Sequence, residues 1–223
     1  MSLVTLLVLA GLAVWAYRRL QHRGGAGASA AARARQLRTP AVRLATLLGI
    51  STRAEHLARR YDAGAEGERR TARQINRLRI HGWTVLHDRA LPTGRANVDH
   101  LAISPTGTVI LPDTKRWDAR FPVYVSGEHL MHGGRIVTGR LDALAHEAAA
   151  VARALGVPVV PLVVVQGARV ADKQLSFRGV RIVSADRACD VMRRLGRPHG
   201  RSSRRHLTEL ALRKLPPRTD VTR

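Results

Sequence analysis

The middle of the chain alternates between helix-like and strand-like hydrophobic patterns. Apolar positions recur at helical spacing over 64–79 and 141–155, and the continuous apolar run over 158–165 (PVVPLVVV) is typical of a strand covered on both faces. The resulting α-β-β-β-α-β order predicts an α/β fold, in which a mixed β-sheet is flanked by helices on both sides. In chain order the pattern predicts a helix over 64–79, strands over 83–91, 97–104 and 108–115, a short strand over 121–125, a hairpin or loop over 128–137, a helix over 141–155, strands over 158–165 and 180–184, and helices near 186–195 and 202–214.

The first twenty residues are strongly apolar. Residues 3–17 (LVTLLVLAGLAVWAY) carry no charge, and the span 1–20 reaches the roughly 30 Å of a bilayer core if Arg18 and Arg19 extend to its surface. An N-terminal transmembrane helix over 1–20 is therefore predicted. The arginines after it place the rest of a single-pass protein on the cytoplasmic side of the cell membrane. The alternative is a cleaved signal peptide, which the short apolar length favours, but the basic segment expected before the apolar run is missing.

The positive charge lies mainly outside the middle of the chain. Lys and Arg number 38 against 16 Asp and Glu, so the formal net charge is +22. Residues 18–60 hold ten Arg and one acid (+9), and residues 191–223 hold nine Arg, one Lys and two acids (+8), whereas 61–190 carries only +5. Basic flanks attract nucleic-acid phosphates or an anionic membrane surface, and charge alone does not choose between these partners.

Composition divides the remainder of the chain into three parts. Residues 21–60 are predicted to be a basic linker or juxtamembrane region, in which the small residues of 24–34 form a linker and 40–60 hold one or two short basic helices. Residues 61–190 are the predicted globular domain, and 191–223 a basic C-terminal helix and tail. The single cysteine, Cys189, excludes an internal disulfide and a Cys-rich zinc site.

One turn decides which polar side chains meet on the sheet. Pro105-Thr106-Gly107 fits a three-residue hairpin loop, so Ser104 pairs with Thr108 and paired residue numbers sum to 212. Asp99 then lies opposite Asp113, and Lys115 projects from the same face two residues further on. The same register brings Leu101 opposite Leu111 and Ile103 opposite Val109 on that face. A two-residue loop would instead put the two aspartates on opposite faces.

A third carboxylate is predicted beside these two. Glu68 shares a helix face with Ala72 and Ile75, so it is expected to point at the sheet. Three converging carboxylates would need a cation among them, and oxygen ligands suit Mg²⁺ or Mn²⁺. A metal ion held by carboxylates beside a lysine suits phosphodiester hydrolysis. The alternatives are that Asp99, Asp113 and Lys115 form a surface ion-pair cluster and that Glu68 is an acid favoured by the start of a helix.

Several short motifs together resemble the nuclease-related domain family, NERD. They are GAEGE (64–68), NVDH (97–100), SPTGT (104–108) and DTKRW (113–117), within a likeness that covers residues 61–168. The resemblance implies the restriction-endonuclease-like αβββαβ core of the PD-(D/E)xK superfamily. It also implies that Glu68, Asp99, Asp113 and Lys115 are the catalytic residues, and that the carbonyl of Thr114 joins the three acids as a metal ligand.

The sequence departs from the family pattern at three positions. Val98 stands where proline precedes the first sheet acid, Asp113 is shorter than the usual glutamate, and Pro112 removes one backbone donor from its strand. A bulge or an irregular strand end would accommodate Pro112. None of the departures removes a catalytic group.

Taken together, these features predict a membrane-anchored, metal-dependent nuclease that hydrolyses phosphodiester bonds in nucleic acid, with DNA preferred over RNA. The alternative is a non-catalytic module that holds nucleic acid or a partner near the membrane. Trp117 is suited either to stacking on a base or to packing at the end of its strand, and His100 is predicted to be packed or hydrogen-bonded on the opposite face.

Overall fold

The computed structural model describes residues 25–92, 96–173, 175–197 and 203–218, and its centre is a six-stranded mixed sheet. The strands of the chain are β1 (Thr84–Ala90), β2 (Asn97–Ile103), β3 (Val109–Trp117), β4 (Val123–Ser126), β5 (His129–His132), β6 (Arg135–Ile136), β7 (Val159–Gly167), β8 (Ser176–Phe177) and β9 (Val180–Ser184). The large sheet has the order β1-β2-β3-β7-β9-β8, and β4-β5-β6 form a small separate sheet. β3, β7 and β9 are parallel, while β1, β2 and β8 pair antiparallel with their neighbours.

Helices cover both faces of the large sheet. They are α1 (Ala28–Leu37), α2 (Pro40–Leu47), α3 (Arg53–Ile75), α4 (Asp142–Leu155), α5 (Ala188–Leu195) and α6 (Arg204–Lys214), with 3-10 turns at Asn76–His81, Thr138–Arg140 and Ala185–Arg187. One apolar layer joins α3 and α5 to the sheet through Ile75, Met192 and Ile110. The other joins α4 and α6 to it through Leu144, Leu207 and further side chains of β2, β3 and β7. The predicted mixed sheet with helices on both sides is therefore confirmed.

The long helix α3 begins eleven residues earlier than the sequence predicts. Its start at Arg53 is capped by Thr52, whose side chain accepts a hydrogen bond from the backbone N–H of Glu55 at 3.1 Å. Thr-x-x-Glu is the sequence signature of a helix N-terminus, and here the threonine caps the helix while the Glu55 carboxylate pairs with Arg38 and Arg59. Glycines at 64 and 67 lower the helix propensity of this stretch, but the helix runs through both of them.

The predicted linker over 24–34 is wrong, because the structure has the helix α1 there. This helix is rich in alanine, the residue type with the highest helix propensity. The small side chains allow close packing against α3, since Ala34, Ala58 and Ala65 are completely buried. A Cβ atom on Gly27 would lie 2.6 Å from the carbonyl oxygen of Ala65. These small residues therefore form a helix–helix contact.

The predicted membrane anchor and its signal-peptide alternative fall on residues 1–20, which lie outside the described residues. Within the part of the chain that the structure describes, no helix is both long enough and apolar enough to cross a bilayer.

Candidate active site

The turn between β2 and β3 has the predicted three-residue loop. Ser104 and Thr108 flank it, the backbone N–H of Ser104 donates to the carbonyl of Thr108 at 2.9 Å, and Gly107 has a φ of 89° that favours glycine. Ile103 pairs with Val109 and Ala102 with Ile110, so paired numbers sum to 212. The predicted register is therefore confirmed for these two pairs, and alternation along each strand from Leu101 and Leu111 places Asp99 and Asp113 on one face.

Pairing between β2 and β3 ends at Ala102–Ile110, before either strand reaches its aspartate. No pairs follow Ala102–Ile110 toward the far end of the two strands, whereas β3 pairs with β7 without interruption from Val109 to Trp117. Pro112 therefore needs no bulge in β3, because β2 no longer pairs with β3 at this position and no backbone donor is required there. In that gap the backbone N–H of Thr114 donates a hydrogen bond to the carboxylate of Asp99. Since the N–H and C=O of one strand residue point the same way, the Thr114 carbonyl also faces β2.

Asp113 and Lys115 form an ion pair that is mostly withdrawn from solvent. Lys115 Nζ donates to Asp113 Oδ1 at 2.9 Å and lies 2.7 Å from Oδ2, and the side chains are 19% and 13% exposed respectively. Oδ2 itself is buried, and among the described residues it makes no hydrogen bond, because the approach of Nζ lies outside hydrogen-bond angles. Burial alone would lower the pKa of Lys115, but the charges of Asp113, Asp99 and Glu147 together raise it.

Glu68 lies inside α3, well beyond the first turn of the helix, so it is not the predicted helix-start acid. Its pKa is raised to about 9, mainly by burial and also by the carboxylates of Asp99, Asp88 and Asp113, while a hydrogen bond from the backbone N–H of Gly27 opposes the shift. The neighbouring Gly67 lets α3 approach β3, since a Cβ there would lie 3.3 Å from Thr114 Cγ2. The structure thus brings Glu68 within electrostatic reach of both sheet acids.

Asp99 is half-buried beside this ion pair. Its pKa is raised to about 7, because burial and the charges of Asp113 and Asp88 together outweigh the opposing effects of Lys115 and the Thr114 N–H. Its alternation with Leu101 and Ile103 puts its side chain on the α4 side of the sheet. Asp99, Asp113 and Lys115 therefore share one largely buried face, not an exposed surface cluster.

Sequence reasoning missed Glu147, which α4 brings to the same face. The pKa of its carboxyl is raised to about 8, mainly by burial and also by the charges of Asp113 and Asp99, while Lys115 opposes the shift. The available signal was its position three residues after Leu144 and four before Val151, both of which are buried. A carboxylate on the apolar stripe of a helix points toward the core.

It also missed Asp88, which ties β1 to α1 and β2. Its carboxylate accepts hydrogen bonds from the Ser29 N–H at 3.1 Å, from the Ser29 hydroxyl at 2.7 Å and from Asn97 Nδ2 at 2.9 Å. Burial nevertheless raises the pKa of Asp88 overall. Its φ of 47° makes it one of two non-glycine residues in the left-handed region among those described, and no sequence pattern marks it.

The prediction for His100 is confirmed. It is fully buried on the α3 side of the sheet, where its Nδ1 lies 2.9 Å from His87 Nδ1 and its Nε2 lies 3.3 Å from the hydroxyl of Thr114. Burial lowers the pKa of both histidines, to about 4 for His87, so both rings are neutral at pH 7. This side of β3 is therefore a neutral hydrogen-bonded support for the strand that carries the acids.

The oxygen ligands of the acid cluster suit a divalent cation, although the carboxylates are further apart than the ligands of a bound metal ion. Across the described ranges, no three His, Cys, Asp or Glu side chains are close enough together to hold a metal ion. The cluster nevertheless gathers the carboxylates of Asp99, Asp113 and Glu147 around the ammonium of Lys115, and the carboxylate of Glu68 lies within electrostatic reach of Asp99 and Asp113. Their mutual repulsion and the buried Asp113 Oδ2 without a hydrogen bond are what an oxygen-liganded Mg²⁺ or Mn²⁺ would relieve.

Comparison with known proteins identifies the family of this domain. No curated protein and no solved structure matches the chain. The family model of the nuclease-related domain, NERD, matches residues 63–166, a range that includes Glu68, Asp99, Asp113, Lys115 and Glu147. The resemblance predicted from the motifs is confirmed, since residues 63–166 of this chain match the family model of the nuclease-related domain, NERD.

Proposed function

We propose that the nuclease-related domain hydrolyses phosphodiester bonds in nucleic acid, with DNA as the substrate, and that it requires a divalent metal ion. The observation that carries the proposal is the meeting of Asp99, Asp113, Glu147 and Lys115 on one face of the sheet in a nuclease-related domain, with the carboxylate of Glu68 within electrostatic reach of both aspartates. Such a concentration of like charges with raised pKa values is typical of a functional site, since it costs stability.

Asp99, Asp113, Glu68 and the Thr114 carbonyl would hold Mg²⁺ or Mn²⁺. When bound, the ion would supply charge to polarise a phosphate and to lower the pKa of a water molecule. The hydrogen bond from the Thr114 N–H keeps the Asp99 carboxylate beside that carbonyl. Glu147 adds a fourth carboxylate on the same face.

Lys115 would act on the phosphate as a fixed cation. Its raised pKa keeps the ammonium protonated at neutral pH, so it is a hydrogen-bond donor and not a base. The pairing with Asp113 at 2.9 Å fixes the direction of its Nζ atom. An ammonium held in this way can donate to a non-bridging phosphate oxygen and stabilise the charge that develops there, or orient the attacking water.

The test is cleavage of plasmid DNA and of labelled oligonucleotides by the full chain in mild detergent, with Mg²⁺, Mn²⁺ or EDTA. We expect nicking with either metal and none with EDTA. Lys115→Met should reduce cleavage at least 100-fold. Lys173→Met is the matched control, because Lys173 is an exposed lysine outside the site, and it should cleave like the wild type.

Removing Lys115 alone leaves a buried carboxylate without its cation, which destabilises proteins by about 3–5 kcal/mol. The double variant Asp113→Asn/Lys115→Met replaces the ion pair by uncharged groups of similar shape and should keep the fold. Metal-dependent cleavage by this folded double variant, or no cleavage by the wild type under any metal condition, would contradict the proposal.

The second candidate is a non-catalytic module that binds nucleic acid. It is favoured by the absence, among the described residues, of three acids at metal-chelating spacing. Such a module would bind DNA equally well with and without Mg²⁺, mainly through the basic flanks, and would cleave nothing.

The proposal also places the domain on the cytoplasmic side of the cell membrane, anchored by residues 1–20. Its support is the uncharged run 3–17 followed directly by Arg18, Arg19 and Arg23. The anchored chain should stay in the membrane pellet after alkaline carbonate extraction. A variant that lacks residues 1–20 should instead be recovered in the supernatant.

A further inference from the structure

Large aliphatic side chains are exposed together on α2 and just after it. Leu44 is 58% exposed, Leu47 84%, Leu48 67% and Ile50 56%, and these four residues form the leucine patch. Leu44, Leu47 and Leu48 follow the three- and four-residue spacing of a single helix face. None of the eight residues of α2 is buried. Single exposed leucines are ordinary on a protein surface, but a cluster of them marks an interaction surface.

The leucine patch is held in its outward position by contacts at the start of α2. Thr39 caps the helix, since its side chain accepts a hydrogen bond from the backbone N–H of Val42 at 3.4 Å. Just before the cap, Arg38 pairs with Glu55 at 3.0 Å and with Asp62 at 2.7 Å, and both acids belong to α3. These ion pairs fasten the corner between α1 and α2 to α3, so the exposure of the leucines is a property of the fold.

Positive charge surrounds the leucine patch. Residues 25–60 hold seven Arg and one acid, Glu55, which gives a net charge of +6. Five of these arginines are exposed and form no ion pair within the described part of the chain, namely Arg33, Arg35, Arg43, Arg53 and Arg60. Exposed leucines among arginines are the pattern of a helix that lies in the surface layer of a membrane with anionic lipids.

We propose that α2 docks onto the surface of an anionic lipid bilayer, with the leucine patch among the headgroups and upper acyl chains and the surrounding arginines at the lipid phosphates. A nucleic acid would pair with the arginines but would leave the leucines in water. A second copy of the chain would cover the leucines, but two surfaces of this charge repel each other. An anionic bilayer suits both the apolar and the basic residues.

The place of α2 in the chain agrees with a membrane partner. Residues 21–27 separate the apolar span 1–20 from α1, and the ten residues of α1 extend over about 15 Å. The proposed anchor would therefore keep α2 near the bilayer. Docking of α2 adds a second membrane contact to that anchor, and it uses none of the residues of the acid cluster, so it does not depend on the nuclease activity.

The test is a fluorescent probe on the leucine patch of the full chain, reconstituted in vesicles of phosphatidylcholine and phosphatidylserine. In a Cys189→Ser background, the fluorophore NBD is attached to Leu47→Cys or, as the matched control, to Ile80→Cys. Both side chains are 84% exposed, and Ile80 lies beyond the far end of α3. The probe on Leu47→Cys should shift its emission to the blue and be quenched by nitroxide-labelled lipids, and the probe on Ile80→Cys should show neither effect. Vesicles without phosphatidylserine should give less quenching.

Equal lipid quenching of the two probes would overturn the proposal. A blue shift of the probe on Leu47→Cys without lipid quenching would also overturn it, because protein, either residues 3–17 or a second copy, would then cover the patch. Quenching that does not change when phosphatidylserine is left out would contradict the role of the arginines. Carbonate extraction tests the anchor separately, so a chain that carbonate releases but whose Leu47→Cys probe is quenched by lipid at neutral pH contradicts the anchor alone.

Discussion

Glu147→Gln should stabilise the metal-free protein at alkaline pH and leave its stability nearly unchanged at pH 4. Burial and the charges of Asp113 and Asp99 raise the pKa of the Glu147 carboxyl from 4.5 to about 8. Between these values the folded protein retains a proton that the unfolded chain has released. Unfolding therefore becomes easier as the pH rises through this window, and the loss is complete above the folded pKa. Glutamine has nearly the same shape and never ionises.

The size of the effect follows from the shift in pKa. At about 1.36 kcal/mol per pH unit, moving a carboxyl pKa from 4.5 to about 8 corresponds to a destabilisation on the order of 4 kcal/mol at pH 9. Part of this energy is shared with Asp99, whose pKa is raised by the same crowding. The gain on removing one charge is therefore not additive with the gain on removing the other.

The assay is urea denaturation in EDTA at pH 4, 6, 8 and 9. The variant's advantage should grow from about zero to several kcal/mol over this range. Glu128→Gln, which removes an exposed glutamate, is the control and should stay within about 0.5 kcal/mol of the wild type at every pH. If the difference in unfolding free energy between Glu147→Gln and the wild type stays constant from pH 4 to 9, Glu147 does not lie among the sheet acids as described.

Two further predictions concern metal and packing. Mg²⁺ should raise the melting temperature of the wild type more at pH 8 than at pH 5, because protons occupy the raised-pKa carboxyls Glu68 and Asp99 at low pH and compete with the ion; calorimetry at both pH values that shows equal shifts would contradict a site among these acids. Gly196→Ala should cost about 1–3 kcal/mol in urea denaturation, since its Cβ would lie 2.4 Å from Cζ2 of the buried Trp83. Gly64→Ala, inside α3 with no atom within 4 Å of its Cβ, should instead stabilise by about 1 kcal/mol, and two changes of the same sign would refute this comparison.

The order of elements and the face of the two aspartates could be predicted because both depend on local pattern. The strand predicted over 180–184 coincides with β9 (Val180–Ser184), and the helix predicted over 141–155 differs from α4 by one residue. The register of β2 and β3 depends only on the loop between Ser104 and Thr108, whose geometry the Pro-Thr-Gly sequence specifies. Short-range rules therefore sufficed for Asp99, Asp113 and Lys115.

The remaining parts of the site depend on contacts between distant segments, which local pattern does not encode. An alanine-rich stretch reads equally as a flexible linker or as a closely packed helix, and only the contact of Gly27 with Ala65 in α3 distinguishes them. Likewise, Glu147 is visibly on the apolar stripe of α4, but its place beside Asp113 depends on which face of the sheet α4 covers as it connects β3 to β7. That choice follows from the strand order, not from the helix itself.

Pro112 shows how a departure from pattern becomes part of the site. Its missing N–H lies on the side of β3 that faces β2, since Thr114, two residues on, presents its own N–H to Asp99 on that side. A continuous antiparallel ladder would need a donor at Pro112 and would occupy the Thr114 N–H with a backbone carbonyl. Because the pairs end at Ala102–Ile110, that N–H is left for a carboxylate. The end of the β2–β3 ladder therefore leaves a backbone donor for the Asp99 carboxylate. That hydrogen bond favours the ionised form of Asp99 beside Asp113 and Lys115.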